Sequence, residues 1–203
     1  MSRIAVIDSG IHAEHAHVGG IVGGVAIAPD GSVTDDFIDR IGHGTAVAAV
    51  IREKAPEAEL FAVKIFDRKL STTAQTLVHA IAWCAAHRMH WINLSLGTAN
   101  ADHVALLQQA VDEALASGAT IVSAYEHDGV RWLPGSLRGA VPVLLDWDCP
   151  RKECRVTALP DGRQAYRASG YPRPIPGVPP DRNLKGISFA VANVSGWLAA
   201  SLV

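Results

Sequence analysis

Short runs of β-branched residues alternate with longer helix-like segments, and this alternation restricts the possible folds more than any other feature of the chain. The runs that predict buried strands are Ile4–Ile7, Leu60–Ile65, Trp91–Leu94 and Thr120–Ser123. The segments with helical spacing are Thr45–Glu53, Thr73–His87 and His103–Ala116. Strands separated by helices pair in parallel through right-handed crossovers. We therefore predict an α/β fold with a mostly parallel central sheet and helices on both faces.

The pattern changes after Gly129. The later strand-like segments are Val141–Asp146, Arg155–Ala158 and Gln164–Ala168, and their spacing predicts irregular antiparallel β structure. Tyr171–Pro180 contains five prolines and predicts an extended surface loop without a helix or a central strand. A length of 203 residues favours a single domain over the whole chain, residues 1–203.

Composition and charge exclude several classes of protein. Hydrophobic residues make up 49% of the chain and charged residues 19%, which is typical of a globular protein and not of a disordered one. The net charge of −2 comes without a basic stripe, so neither a nucleic acid nor a membrane is a predicted partner. The uncharged segment Gly186–Val203 contains Asn193 and several serines and predicts a buried helix, not a membrane span. No secretory signal precedes Ile4–Ile7, and together with sparse cysteine this predicts a cytoplasmic location.

Cysteine and histidine leave several alternatives open. Cys149 and Cys154 could form a hairpin disulfide, half of a zinc site or two loop thiols. The zinc site is disfavoured because no second Cys/His pair has a matching spacing, and two loop thiols are the simplest interpretation. His12, His15 and His17 form a loose cluster that could bind a transition metal, although solvated loop histidines are more common. We predict no metal and no cofactor.

Three short segments contain the residue types that acyl transfer requires. They are Asp8-Ser9-Gly10-Ile11, His43-Gly44-Thr45-Ala46-Val47-Ala48 and Gly186-Ile187-Ser188-Phe189-Ala190. Each alone is also ordinary turn or helix-capping chemistry. A serine hydroxyl is a weak nucleophile at neutral pH and needs a base, and histidine is the side chain suited to accept and return a proton there. The three segments together therefore indicate nucleophilic catalysis.

These segments resemble the signatures of the subtilase family of serine endopeptidases, in the chain order Asp, His, Ser. The resemblance covers Ile4 to about Leu198 and implies a minimal version of the three-layer subtilisin-like fold. It implies that Asp8 orients His43, that His43 is the general base and that Ser188 is the nucleophile. Ser95, Leu96 and Gly97 match the segment with which the family pairs an extended substrate.

The chain departs from the family pattern at two places. Most subtilases have an asparagine oxyanion donor after the fourth strand, and the resemblance puts His127 at that position. The alternative is that the site is catalytically inactive or that His127 is a surface loop histidine. By the same resemblance Ala124, Tyr125 and Glu126 would line the specificity pocket. No room for a calcium loop follows His43, which supports the prediction of no metal.

We therefore predict an intracellular subtilisin-like serine endopeptidase that acts on a peptide or protein substrate. The small layout, without a propeptide or added domains, is similar to cytoplasmic proteases of modified-peptide pathways, for example the one that matures the small subunit of quinohemoprotein amine dehydrogenase. This likeness predicts removal of a leader from a precursor peptide, with the peptide's modification enzymes as partners. The alternative is a catalytically impaired pseudoprotease that binds peptides as a scaffold subunit.

Overall fold

A computed structural model describes residues 1–201 and contains ten strands and four α-helices in that range. The strands are β1 (Arg3–Asp8), β2 (Gly23–Ile27), β3 (Val33–Thr34), β4 (Glu59–Lys64), β5 (Trp91–Leu94), β6 (Thr120–His127), β7 (Val130–Arg131), β8 (Val141–Leu145), β9 (Arg155–Ala158) and β10 (Gln164–Ala168). The helices are α1 (His43–Lys54), α2 (Ala74–Ala86), α3 (Val104–Ala116) and α4 (Ile187–Ala200). The predicted strands and helices of the first half are all present, within a few residues at their ends.

All ten strands belong to one sheet, in the order β3-β2-β4-β1-β5-β6-β8-β10-β9, with β7 paired to β6. The pairs from β2 through β4, β1, β5, β6 and β8 to β10 are parallel. Antiparallel pairing is limited to the short or peripheral strands β3, β7 and β9. The predicted α/β fold with a mostly parallel sheet is confirmed.

Helices cover both faces of the sheet because the central strands are apolar on both faces. In β1, Ala5 and Ile7 pack with the residues of α2 and α3, whereas Ile4 and Val6 pack with those of α1 and α4. Successive side chains of a strand point to opposite faces, so one short apolar strand contributes to two cores. The result is three layers, with α1 against α4 on one side and α2 against α3 on the other.

The C-terminal part differs from the prediction. We expected irregular antiparallel structure there, but β8 lies parallel to both β6 and β10 and continues the main sheet. Only the β9–β10 pair is antiparallel. Local sequence could not distinguish a parallel from an antiparallel arrangement here. The strand that pairs with β8 is β6, and a long connection separates the two strands in the chain. The proline-rich segment Tyr171–Pro180 contains neither strand nor α-helix, as predicted.

The helix that begins at Ile187 ends at Ala200 and contacts β5, β6, β8 and β10, which confirms it as a core element. The last two residues of Gly186–Val203 lie outside the described range. Within residues 1–201, no helix combines the length and apolar character that crossing a membrane requires.

Candidate active site

Asp8 and His43 form a hydrogen-bonded pair at the carboxyl end of the sheet, in which Asp8 is buried and His43 is partly buried. Asp8 is the last residue of β1 and is 1% exposed, and His43 is the first residue of α1. His43 Nδ1 lies 2.8 Å from Asp8 Oδ1 and 3.0 Å from Asp8 Oδ2. Because a carboxylate only accepts hydrogen bonds, this contact places the ring proton on Nδ1 and leaves Nε2 to act as a base.

Two glycines allow the strand end and the helix start to come this close. A Cβ on Gly44 would lie 2.2 Å from the carbonyl oxygen of Gly10. Gly10 itself has φ +100°, and a Cβ there would lie 2.3 Å from the carbonyl oxygen of Phe37. A side chain at Gly44 would push the start of α1 away from the end of β1 and lengthen the contact between Asp8 and His43, whereas one at Gly10 would push away the loop at Phe37. Close contact with neighbouring backbone therefore explains why glycine occupies these positions of the two sequence motifs.

The environment of His43 favours its protonated form. Burial alone would lower the pKa of His43, but the hydrogen bond and the negative charge of Asp8, assisted by Asp39, outweigh burial and raise it. The ring also lies beside Phe189, with 5.8 Å between ring centroids. An imidazolium that forms during catalysis would thus be stabilised by the carboxylate behind it.

Asp39 is a residue of this site that sequence reasoning missed. Its Oδ1 accepts hydrogen bonds from Ser9 Oγ (2.9 Å) and from the N–H groups of Ile41 (2.9 Å) and Gly42 (2.8 Å). Its Oδ2 accepts from the N–H (2.9 Å) and the hydroxyl (2.6 Å) of Thr45. Burial alone would raise the pKa of Asp39, but these hydrogen bonds outweigh it and lower the pKa.

The carboxylate of Asp39 thereby joins the two halves of the Asp8–His43 pair. Ser9 follows Asp8, and its hydroxyl also accepts from the N–H of Gly44, which follows His43. One signal in the sequence could have identified Asp39: an acidic residue a few positions before a helix is well placed to accept from the N–H groups of its first turn. The bond to Ser9 depends on tertiary structure and has no local signal.

Ser188 is the second residue of α4, at the same edge of the sheet. Its hydroxyl donates to the carbonyl oxygen of Ser95 at 3.0 Å. The described part of the chain contains no hydrogen bond between Ser188 and His43, but the two residues line one cavity of about 240 Å³. The first N–H groups of a helix have no partner within the helix, so the start of α4 supplies donors to an oxyanion near Ser188.

We call this cavity the Ser188 cavity. Some of the predicted substrate residues line it and others do not. Ser95, Leu96, Gly97 and Ala124 line it, together with His127. Residues that the sequence did not single out complete the wall: Phe66, Leu70, Trp132, Ile187 and Val191. The backbone of Thr98 pairs with Leu133 just beyond the substrate segment, at 3.1 and 2.9 Å, and holds that segment at the cavity wall.

Tyr125 and Glu126 do not line the Ser188 cavity. Tyr125 is 3% exposed and packs with Leu159 and Ala165. Glu126 faces a separate cavity that is also lined by Trp147 and Arg167. The pairing of β6 with β8 shifts register between Ala124 and Glu126, so the simple alternation of strand faces does not hold there.

His127 is the last residue of β6 and borders both of these cavities. Its side chain is partly exposed, and Nε2 lies 3.5 Å from Oδ2 of Asp128. His127 thus forms part of the wall of the Ser188 cavity.

The cysteines and the loop histidines do not line the Ser188 cavity. Cys149 and Cys154 are free thiols, which confirms the reading as two loop thiols and excludes the disulfide. The rings of His15 and His17 meet edge to face, with 5.3 Å between centroids. Over residues 1–201 no group of three or more His, Cys, Asp or Glu side chains is arranged to hold a metal ion.

Comparison with known proteins gives the family. Residues 2–126 match the model of the subtilase family, Peptidase_S8, and the chain belongs to that family. It is 39% identical over 136 residues to the minor extracellular protease Epr of Bacillus subtilis, a match that covers 63% of this chain and 20% of that protein. It is 33% identical over 136 residues to subtilisin E of Bacillus subtilis, covering 63% of this chain and 34% of the relative. The chain thus spans a fifth to a third of the length of these curated relatives.

Solved structures show the same fold. The prenylagaramide maturation protease PagA superposes with a TM-score of 0.72 at 23% identity, over 99% of this chain and 75% of that one. A cold-adapted subtilisin-like serine proteinase gives 0.71 at 22% identity, over 99% and 75%. A lanthipeptide protease gives 0.68 at 18% identity, over 98% and 72%. The predicted subtilisin-like fold is confirmed.

Proposed function

We propose that this chain is a serine endopeptidase in which Asp8, His43 and Ser188 form the catalytic triad. The observation that carries the proposal is the Asp8–His43 pair, with 2.8 Å between Nδ1 and Oδ1, whose histidine lines the same cavity as Ser188. No other arrangement of a nucleophile, a base and an orienting carboxylate is as complete within residues 1–201.

The reaction begins with a rotation of the Ser188 side chain. Its hydroxyl leaves the carbonyl of Ser95 and turns toward His43 Nε2, which accepts the proton while Oγ attacks the substrate carbonyl carbon. The oxyanion accepts hydrogen bonds from the N–H groups at the start of α4 and from the ring of His127. His43 then gives its proton to the leaving amine, and water releases the acyl group by the reverse sequence of proton transfers.

We infer further that the substrate is a precursor peptide, from which the enzyme removes a leader in the cytoplasm. Two of the solved structures with the same fold are named as a maturation protease and a lanthipeptide protease, which supports this class of substrate. Three free thiols in one chain are typical of a reducing compartment. The narrower likeness to quinohemoprotein amine dehydrogenase maturation, and any modification enzymes as partners, stay predictions.

A fluorophosphonate probe tests the catalytic proposal, because it reacts covalently only with an activated serine. We expect the wild-type protein to be labelled, and Ser188→Ala and His43→Ala to lose labelling by about 10³-fold or more. The double variant should be little worse than either single one, since nucleophile and base act as a unit. Labelling of Ser188→Ala at the wild-type rate would exclude the serine mechanism.

A digest of mixed peptides, read by mass spectrometry, tests the substrate class. A dedicated processing enzyme should cut few peptides at a restricted sequence and leave casein nearly intact. Broad cleavage of casein would overturn the leader-removal proposal while leaving the catalytic one in place.

The second candidate is a pseudoprotease that binds peptides. One observation favours it: the Ser188 hydroxyl is bonded to Ser95 and not to His43. The resemblance also puts His127 where most of the family has an asparagine donor. Wild-type protein that binds peptides yet shows neither labelling nor cleavage would select this candidate.

A further inference from the structure

A chain of buried hydrogen bonds runs from the middle of α4 to the end of β5. Asn93 and Ser195 are both 0% exposed and stand in otherwise apolar segments. Ser195 Oγ donates to Asn93 Oδ1 at 2.9 Å, and Asn93 Nδ2 donates to Ser95 Oγ at 2.8 Å. Burying an asparagine in a core is unfavourable unless its amide is paired, and here both ends of the amide have a partner.

The chain of bonds ends at the nucleophile. A serine hydroxyl has a single proton, so when Ser95 Oγ accepts from Asn93 its own proton must go elsewhere. It goes to the carbonyl oxygen of Ser188, at 3.4 Å, while Ser188 Oγ donates to the carbonyl oxygen of Ser95 at 3.0 Å. Ser95 and Ser188 are thus bonded in both directions, and Asn93 determines the direction of one of these bonds.

We propose that Asn93 is a positioning residue that acts on Ser188 through Ser95. The inference rests on the proposed peptidase function. Ser95 directly follows β5 and begins the predicted substrate segment, and Ser188 is the nucleophile at the start of α4. The two bonds between these residues therefore set the spacing between substrate and nucleophile. Asn93 holds Ser95 from within β5 and does not line the Ser188 cavity.

A purely structural role would make different demands. If Asn93 only filled the core, any loss of its hydrogen bonds would lower stability and leave the rate per folded molecule unchanged. Ser195→Ala provides the matched control, because it removes an equally buried hydrogen bond of the same asparagine and leaves the bond to Ser95 in place. A misplacement of the nucleophile, in contrast, reduces the rate of the chemical step more than ground-state binding.

The test measures the inactivation rate constant kinact and the inhibition constant KI of a fluorophosphonate probe, with the melting temperature as a measure of stability. We expect Asn93→Ala to lower kinact by about 10-fold with KI nearly unchanged, the size of effect that follows from one lost positioning hydrogen bond. Ser195→Ala should also lower the melting temperature, by less than Asn93→Ala because it removes only one of the two bonds of Asn93, and should keep kinact within about 2-fold.

Ser95→Ala removes the same bond from its other end and keeps the test decisive if Asn93→Ala does not fold, since Ser95 is only partly buried. It should also lower kinact by about 10-fold, and the double variant should be no slower, because both changes remove one interaction. Unchanged kinact in Ser95→Ala, or an equal loss in Ser195→Ala, would overturn the proposal. In those cases labelled wild-type protein would still support the peptidase function, whereas unlabelled wild-type protein would overturn both.

Discussion

Replacing Asp39 by alanine should destabilise the protein more than any other change to an incompletely buried carboxylate in the chain. The substitution removes the acceptor of five hydrogen bonds, three from backbone N–H groups and two from hydroxyls. Loss of the capping bonds to the start of α1 costs about 1–2 kcal/mol. Each hydroxyl bond adds about 1 kcal/mol. We expect a total of about 3–4 kcal/mol, or a fall in melting temperature of about 6–16 °C for a domain of this size.

Urea denaturation in the Ser188→Ala background measures this loss without self-digestion. Asp39→Asn should recover about half of it, because an amide keeps one oxygen acceptor but turns N–H groups toward the donors that the other oxygen had accepted. Asp36→Ala is the control in the same loop: Asp36 is exposed and pairs with Arg40, so its removal should leave the free energy of unfolding nearly unchanged.

The pH dependence of the loss gives a second check. The pKa of Asp39 is lower in the folded protein than its ordinary value, so its contribution is present above the ordinary pKa and is lost as the pH falls through the lowered one. The difference between wild type and Asp39→Ala should therefore shrink in acid. A loss below about 1 kcal/mol at pH 7, or one that grows in acid, would refute the assignment of Asp39 as the residue that joins Ser9 to α1.

Three further predictions concern the pH profile, the oxyanion and the thiols. The pKa of His43 is raised, so the stability that its charged form contributes is complete below the ordinary histidine pKa and declines as the pH rises through the raised value. Over that same interval kcat/KM should rise, because the neutral ring is the base. An acidic limb of the kcat/KM profile with a pKa at or below the ordinary histidine value would contradict this prediction. His127→Ala should lower kcat by about 10²–10³-fold with little change in KM, which is the range for losing an oxyanion donor in subtilisin. His127→Asn should retain much more activity than the alanine variant. A kcat near the wild-type value in His127→Ala would place the donor elsewhere. Burial raises the pKa of Cys154 to about 12 and also raises those of Cys149 and Cys84. A disulfide reagent at pH 8 should therefore react slowly with the folded protein, and it should react with all three thiols after unfolding. Rapid reaction of the folded protein would show an exposed thiolate.

Much of the fold follows from the sequence because its cause is local. A strand such as β1 is recognisable from a run of apolar β-branched residues, and β5 has the predicted ends. The family motifs around Asp8, His43 and Ser188 are equally local, since each is a short run of neighbouring residues that includes a glycine. They could therefore be recognised without a structure, and at Gly10 and Gly44 the glycine permits close backbone approach.

Tertiary structure alone decided the features that depend on residues far apart in the chain. Asp39 gains its role from Ser9, thirty positions earlier, and Asn93 from Ser195, more than a hundred positions later. Tyr125 is turned into a core with Leu159 and Ala165 by a register shift that no local pattern announces. Strand order, with β8 beside β6, is likewise a matter of which apolar surfaces meet. Propensity and turn chemistry act over a few residues, whereas the partner of a buried polar group is selected by the packing of the whole sheet and its helices.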